Sequence, residues 1–271
     1  MQGFKSDPRI TAVGKAGQTY CVKSPRVWLY RDRADKNSAD TELLYGHSFT
    51  AYKTLKNWIY GQAMTPVLNN ATAGYVGWIH KDNLASFESA THRIISLKAP
   101  VFTAPDIKSQ ITVILPMGAL VKHKTSHPRS TLQTNFIKIL NGFIHRNHVA
   151  VRGEDYSDDF TAVAQSHLGL PYIWAGVSSD GLDCSGLVQS SLRAAGRDVP
   201  RDADMQEADL GKIIEQPPYK RGDLIFWPGH VGIMLSPETM IHANAHHMIV
   251  AEEPLSDAIA RIGPIRTVKR L

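Results

Sequence analysis

The chain runs to 271 residues, 43% hydrophobic and 20% charged, with 20 Gly and 15 Pro. That balance excludes collagen-like, disordered and disulfide-scaffold proteins, and the length favours two or three units over a single core. The net charge is +5, but residues 1–150 hold 19 Lys and Arg against 8 Asp and Glu, whereas residues 151–271 hold 11 against 17. The cations of the basic half are scattered singly, so a solvated surface is expected there and no nucleic-acid site. Two widely separated cysteines, Cys21 and Cys184, argue for a reducing compartment and against a structural bridge. Residues 1–25 contain no apolar core of signal-peptide length, and no segment approaches the ~20 apolar residues of a membrane span, so a cytoplasmic protein without membrane contact is expected.

In chain order, the first half reads as short strands broken by turn residues, with no sustained helical period. It also repeats itself. Ile79-His80-Lys81-Asp82-Asn83-Leu84-Ala85 aligns with Ile144-His145-Arg146-Asn147-His148-Val149-Ala150, each preceded by a glycine and an aromatic, Gly77-Trp78 and Gly142-Phe143. Upstream, the strand before Gly46 corresponds to the strand before Gly118, and Ser24-Pro25 to Ala99-Pro100. Two copies of one unit of about 60 to 70 residues follow, each expected to be a small β-barrel. The pairing of Asn57-Trp58-Ile59-Tyr60-Gly61-Gln62 with Gly74-Tyr75-Val76-Gly77-Trp78-Ile79 resembles the bacterial SH3-like domain. The second copy has no tryptophan in the equivalent stretch, Thr134-Asn135-Phe136-Ile137-Lys138-Ile139.

The period then changes. Residues 152–158 are a polar, acidic connector, and Ser157 or Asp158 is placed to cap a helix that runs through Phe160, Val163, Ala164, His167 and Leu168 and stops at Gly169. A second helix is predicted from Ser185 to Ala195, with Leu187, Val188, Ser191 and Leu192 on one stripe and Gly196 as its stop. Strands follow at residues 223–227, 231–235, 240–243 and 248–251, an α+β layout with an antiparallel meander.

Cys184 sits immediately before that second helix, where unpaired first-turn amides favour the thiolate. A thiol nucleophile needs a base, and the base needs an orienting partner. His230 and His242 are the candidates. If residues 235–239 form a five-residue loop, Met234 faces Met240, Gly232 faces His242, and the two histidines share a sheet face; a four-residue loop would separate them. A metal site from His242, His246 and His247 lacks a Cys or carboxylate at ligand spacing, so no metal or other cofactor is expected.

Six ordered motifs make the third part resemble the NlpC/p60 cell-wall cysteine peptidases, which have a small papain-like core. They are Pro171-Tyr172-Ile173-Trp174-Ala175-Gly176, Gly181 to Val188 around Cys184, Pro200-Arg201-Asp202-Ala203 to Gln206, Gly222 to Trp227, Gly229-His230-Val231-Gly232-Ile233, and Ile241-His242-Ala243. The resemblance implies two small all-β SH3-like barrels (1–88 with an N-terminal arm, and 89–152) followed by an α+β papain-like peptidase domain (153–271). It implies cleavage between γ-D-glutamate and the diamino acid of peptidoglycan stem peptides, with Cys184 as nucleophile, His230 as base and His242 as orienting residue. Asp183, Ser185, Arg201 and Asp202 fall on positions lining the cleft, Trp174 on its wall, and Tyr172 offers an oxyanion donor. Ala175 replaces a frequent glycine.

The combination of two such barrels with this peptidase resembles cytosolic enzymes that recycle murein peptides, in which the first barrel helps bind the free amine of an N-terminal L-alanine. Tyr75 matches the tyrosine of that amine site, and Glu42 is the nearest carboxylate, with His47 where a Glu often follows the glycine. The expected partner is a peptidoglycan-derived peptide. Two alternatives remain: a wall-binding or scaffold protein with an inert peptidase core, and a papain-like amidase or acyltransferase acting on another acyl group.

Overall fold

The computed structural model describes residues 7–64, 74–124, 135–154 and 156–271. The first six residues of the N-terminal arm, Asp155 of the connector and Thr134 lie outside them. The described residues form two compact units, one comprising those up to 154 and the other residues 156–271.

The first unit is built entirely of strands and short 3-10 turns. Its first copy runs through β1 (Thr19–Val22), β2 (Arg26–Tyr30), β3 (Ala39–Leu44), β4 (Ser48–Leu55), β5 (Trp58–Ala63), β6 (Val76–His80) and β7 (Leu84–Ser86), with a 3-10 turn at Lys81–Asn83. The second runs through β8 (His92–Ile94), β9 (Lys98–Phe102), β10 (Ile111–Pro116), β11 (Leu120–Val121), β12 (Phe136–Ile139), β13 (Gly142–His145) and β14 (Val149–Val151), with a 3-10 turn at Arg146–His148. The sheet order of the first copy is β3-β2-β6-β5-β4-β1-β7. The second repeats it as β10-β9-β13-β12 and β11-β8-β14, the same sequence of neighbours divided between its fifth and fourth strands.

The internal repeat is therefore structural: both aligned heptads become strand, 3-10 turn, strand. The matched glycines serve one purpose in each copy, since Gly46 and Gly118 both have positive φ, 78° and 86°, which a side chain disfavours. The two turns also touch. Leu120 N donates to Tyr45 O at 2.8 Å, His47 Nε2 lies 3.2 Å from Gly118 O, and a Cβ on Gly46 would stand 2.0 Å from Leu120 O. The copies are thus packed against each other within one unit.

The second unit contains α1 (Phe160–Ser166), the short pair β15 (Val177–Ser178) and β16 (Gly181–Leu182), α2 (Cys184–Ala194), α3 (Ala203–Asp209), β17 (Lys212–Ile213), β18 (Leu224–Trp227), β19 (His230–Met234), β20 (Thr239–Asn244), β21 (Ile249–Pro254), α4 (Leu255–Ile262) and β22 (Thr267–Arg270). Its sheet has the antiparallel order β17-β22-β18-β19-β20-β21, so the expected meander gains the terminal strand beside β18. Strand alternation sorts the core into two layers. Leu224, Phe226, Val231, Ile233 and Ile241 pack with Leu187, Val188 and Leu192 of α2. Ile225, Trp227, Met234 and Met240 pack with Leu255 and Ala258 of α4.

The cap of α1 is neither Ser157 nor Asp158 but Asp159, whose carboxylate accepts from Thr161 N and Ala162 N at 2.9 and 3.1 Å. A carboxylate here satisfies two amides that the other candidates leave open. Helix α2 begins one residue earlier than predicted, at Cys184, and Gly196 with φ 76° follows its end. Among the described residues no helix is long and apolar enough to cross a membrane.

Candidate active site

Asp183 fixes the start of α2. It is the N-cap, with Oδ1 accepting from Gly186 N at 2.7 Å, and its Oδ2 accepts from Ala175 N at 2.9 Å. Ala175 occupies the left-handed region at φ 66°, so its side chain carries a strain of about 1 kcal/mol that glycine would not. The tripeptide segment around it closes tightly on the helix: a Cβ on Gly186 would stand 2.1 Å from Gly176 O.

Cys184 is the first residue of α2 and is buried, with Sγ 4.0 Å from the carbonyl of Gly229, the residue before His230. Burial pushes its thiol up to about 12, against the contrary pull of the nearby Val231 and Ser185 amides and Arg201. The expected bias toward thiolate from the helix start is thus outweighed by desolvation in the resting site.

The β19–β20 register pairs Met234 with Met240 and Ile233 with Ile241. This is the register of a five-residue loop, and the histidines share a face: His230 Nε2 lies 2.8 Å from His242 Nδ1, ring centroids 5.0 Å apart. Trp227 stands beside them, 5.9 Å from the His230 ring. Burial first, then the charges of His242 and Arg261, lower His230 to about 3, with Glu253 and Asp183 opposing; burial lowers His242 to about 4, with Glu253 again opposing.

Sequence reasoning missed Glu253 and Arg261. Glu253 Oε1 lies 2.6 Å from His242 Nε2, a close contact whose N–H is not aligned for a linear hydrogen bond. Arg261 of α4 clamps the same carboxylate, Nη1 to Oε2 at 2.9 Å and Nη2 to Oε1. The signal lies in the strand pairing. Met240 pairs with Glu253 and His242 with Ala251, which makes Glu253 a diagonal neighbour of His242 on one face. The predicted strand stops at Ala251, whereas β21 continues to Pro254.

A carboxylate does therefore join the histidines. Ligand atoms of His242, His247 and Glu253 come within 4.8 Å of one another. Both Glu253 oxygens already face the Arg261 guanidinium, however, so a cation there would meet a fixed positive charge.

The remaining candidates fall into two groups. Tyr172 is half-buried and its phenol is pushed up to about 12, by burial first and then by Cys184 and Asp183, so it remains an O–H donor beside the sulfur. Arg201 is buried and donates to Asp183 Oδ1 and Oδ2 at 2.9 and 2.6 Å, to Ser185 Oγ at 2.9 Å and to Gly176 O at 3.3 Å, so these residues brace the start of α2, where Cys184 sits. Gln206 adds a tie from α3, donating to Ser185 O and Pro200 O. Asp202 is the N-cap position of α3, and Trp174 is 71% exposed. Tyr75 and Glu42 belong to the first unit, both buried, and Glu42 is paired with Arg26 at 2.7 Å.

Desolvated histidines of the second unit make the fold sensitive to acid. Burial lowers His167, His230 and His242 below the ordinary value near 6.5. The unfolded chain binds these protons first, so their contribution to stability is complete above about pH 6.5 and is lost as pH falls toward about 4, at up to ~1.4 kcal/mol per pH unit for each histidine. Calorimetric melting temperatures should therefore fall steeply from pH 7 to pH 5; a flat profile would contradict the burial of uncharged imidazoles.

The NlpC/P60 family model matches residues 169–261. The chain is 26% identical over 252 residues to a gamma-D-glutamyl-L-lysine dipeptidyl-peptidase of Bacillus subtilis, covering 80% of this chain and 79% of the relative. It is 27% identical over 264 residues to the protein of that name from Bacillus cereus, covering 85% and 74%. A crystal structure of an NlpC/P60 family protein from Bacillus cereus superposes with a TM-score of 0.77 at 18% identity, over 93% of this chain and 99% of the other, which shows the shared fold.

Proposed function

We propose, from the premise that this chain carries an NlpC/P60-family domain and is a hydrolase of the cysteine peptidase type, that it cleaves the bond between γ-D-glutamate and the diamino acid of released peptidoglycan peptides. The observation that carries this reading is the thiol at the start of α2 against the strand that opens with His230, whose far nitrogen is hydrogen-bonded to His242. The relatives' names, which specify a γ-D-glutamyl-L-lysine bond and a dipeptidyl group, favour a dipeptide ending in γ-D-Glu as the acyl fragment, taken here as L-Ala-γ-D-Glu. The two seven-strand copies are read as SH3-like barrels on the tryptophan-bearing β5 and glycine-flanked β6. Tyr75 and Glu42 remain the amine-site candidates, Glu42 requiring release from Arg26. Recycling of wall peptides in the cytoplasm completes the proposal.

In this mechanism the resting pair is uncharged thiol and uncharged imidazole, the state that burial favours on both residues. His230 takes the thiol proton as Cys184 attacks the γ-carbonyl, and His242 holds the imidazole in position. The Cys184 N–H, free of an intrahelical acceptor at the first turn, and the Tyr172 hydroxyl offer donors for the tetrahedral oxyanion. His230 then protonates the departing amine, and water resolves the thioester. Incubation with L-Ala-γ-D-Glu-meso-diaminopimelate, followed by mass spectrometry, should yield the dipeptide and free diaminopimelate; intact tripeptide would overturn the reading.

A further inference from the structure

We infer that Glu253, held by Arg261, is a positioning residue that sets the tautomer of both active-site histidines and the charge their ring pair tolerates. The inference rests on the assignment of Cys184, His230 and His242 above. An unprotonated Nε2 facing a carboxylate oxygen at 2.6 Å would set a lone pair against an anion, which is repulsive, so the proton of His242 belongs on Nε2. His242 Nδ1 is then a bare acceptor, and the 2.8 Å contact requires His230 to donate from Nε2. That leaves His230 Nδ1 unprotonated, the form a general base needs. A carboxylate orienting an imidazole through its second nitrogen is a general device of such relays, here moved one ring further out.

Arg261 makes the device adjustable. Its clamp fixes the carboxylate and holds it below the ordinary range, Arg261's hydrogen bond and the charge of His242 outweighing the upward push of burial. The two charges act on the histidines with opposite sign: Glu253 favours a proton on them and Arg261 disfavours it. The other groups facing the ring pair are His247 from the turn after β20 and Asp183 from the start of α2. Proton transfer from Cys184 to His230 creates an imidazolium, so the thiolate population follows the balance of Glu253 and Arg261.

The test needs no peptide substrate. Alkylation of Cys184 by iodoacetamide is followed at the peptide level between pH 5 and 9, with Cys21 as internal reference. Glu253→Gln should slow alkylation of Cys184 at pH 7 by about tenfold, and Arg261→Gln should accelerate it by a similar factor, one pKa unit in each direction. Cys21 should be unaffected. Shifts of the same sign, or none in folded variants, would overturn the inference, and so would imidazole nitrogen NMR of the wild type showing His242 protonated on Nδ1. Because neither measurement involves hydrolysis, a failure here is distinguishable from failure of the peptidase reading, which the tripeptide assay judges.

Discussion

Replacing Cys184 by alanine is expected to abolish tripeptide hydrolysis, with a loss of at least about a thousandfold in kcat, while leaving the fold intact. The magnitude follows from the role: without a nucleophile no thioester forms, and what remains is binding and the oxyanion donors. The fold survives because the change removes one sulfur from a core otherwise built of Leu187, Val188, Leu224, Val231 and their neighbours. Cys21 supplies the control. It lies in β1 of the other unit, its sulfur accepting from Glu88 N at 3.2 Å, and burial pushes its thiol up, so Cys21→Ala should retain activity. Initial rates from mass spectrometry, with melting temperatures of both variants, decide the matter. Full turnover in Cys184→Ala would remove the thiol from the chemistry, and a wild type that binds insoluble wall without releasing peptide would return the case to an inert scaffold.

Local signals in the sequence sufficed where structure is made locally. The heptads at Ile79 and Ile144 became the same strand, turn and strand because a short 3-10 turn between two strands is specified by adjacent residues. The stripe of Leu187, Val188, Ser191 and Leu192 places the start of α2 to within one residue, and Gly196 marks its end. The site's inner pair was legible because strand register converts a loop length into a shared face, which joins His230 to His242. What escaped was non-local. Helices α3 and α4 span only seven and eight residues, two turns in which a 3.6 period hardly declares itself, and β22 finds its place beside β18 from some forty residues away. Glu253 was invisible for the same reason, since its meaning depends on Arg261 from a helix that was not foreseen. The thiol is the instructive case. The helix start is legible to within one residue, but the opposing effect, burial beneath other elements, belongs to the folded chain.

The second large effect concerns Arg201. Arg201→Met is expected to destabilise the second unit by about 3–5 kcal/mol, the range for stripping one partner from a buried ion pair. Arg201 and Asp183 are 3% and 6% exposed, and two of the guanidinium's contacts reach the Asp183 carboxylate directly. Methionine fills much of the space but donates nothing, so the carboxylate, Ser185 Oγ and Gly176 O each lose a donor together. Asp183→Asn alone should also destabilise, because it leaves the guanidinium without its anion although an amide oxygen still caps α2. Combining the two substitutions should cost clearly less than their sum, since each removes the charge that the other strands. Urea denaturation of the four proteins measures that coupling. The same network carries the residue before Cys184, so Arg201→Met should lower kcat even well below its melting temperature. Additive losses in the cycle, or a variant with unchanged turnover, would show that the nucleophile's position does not depend on this brace.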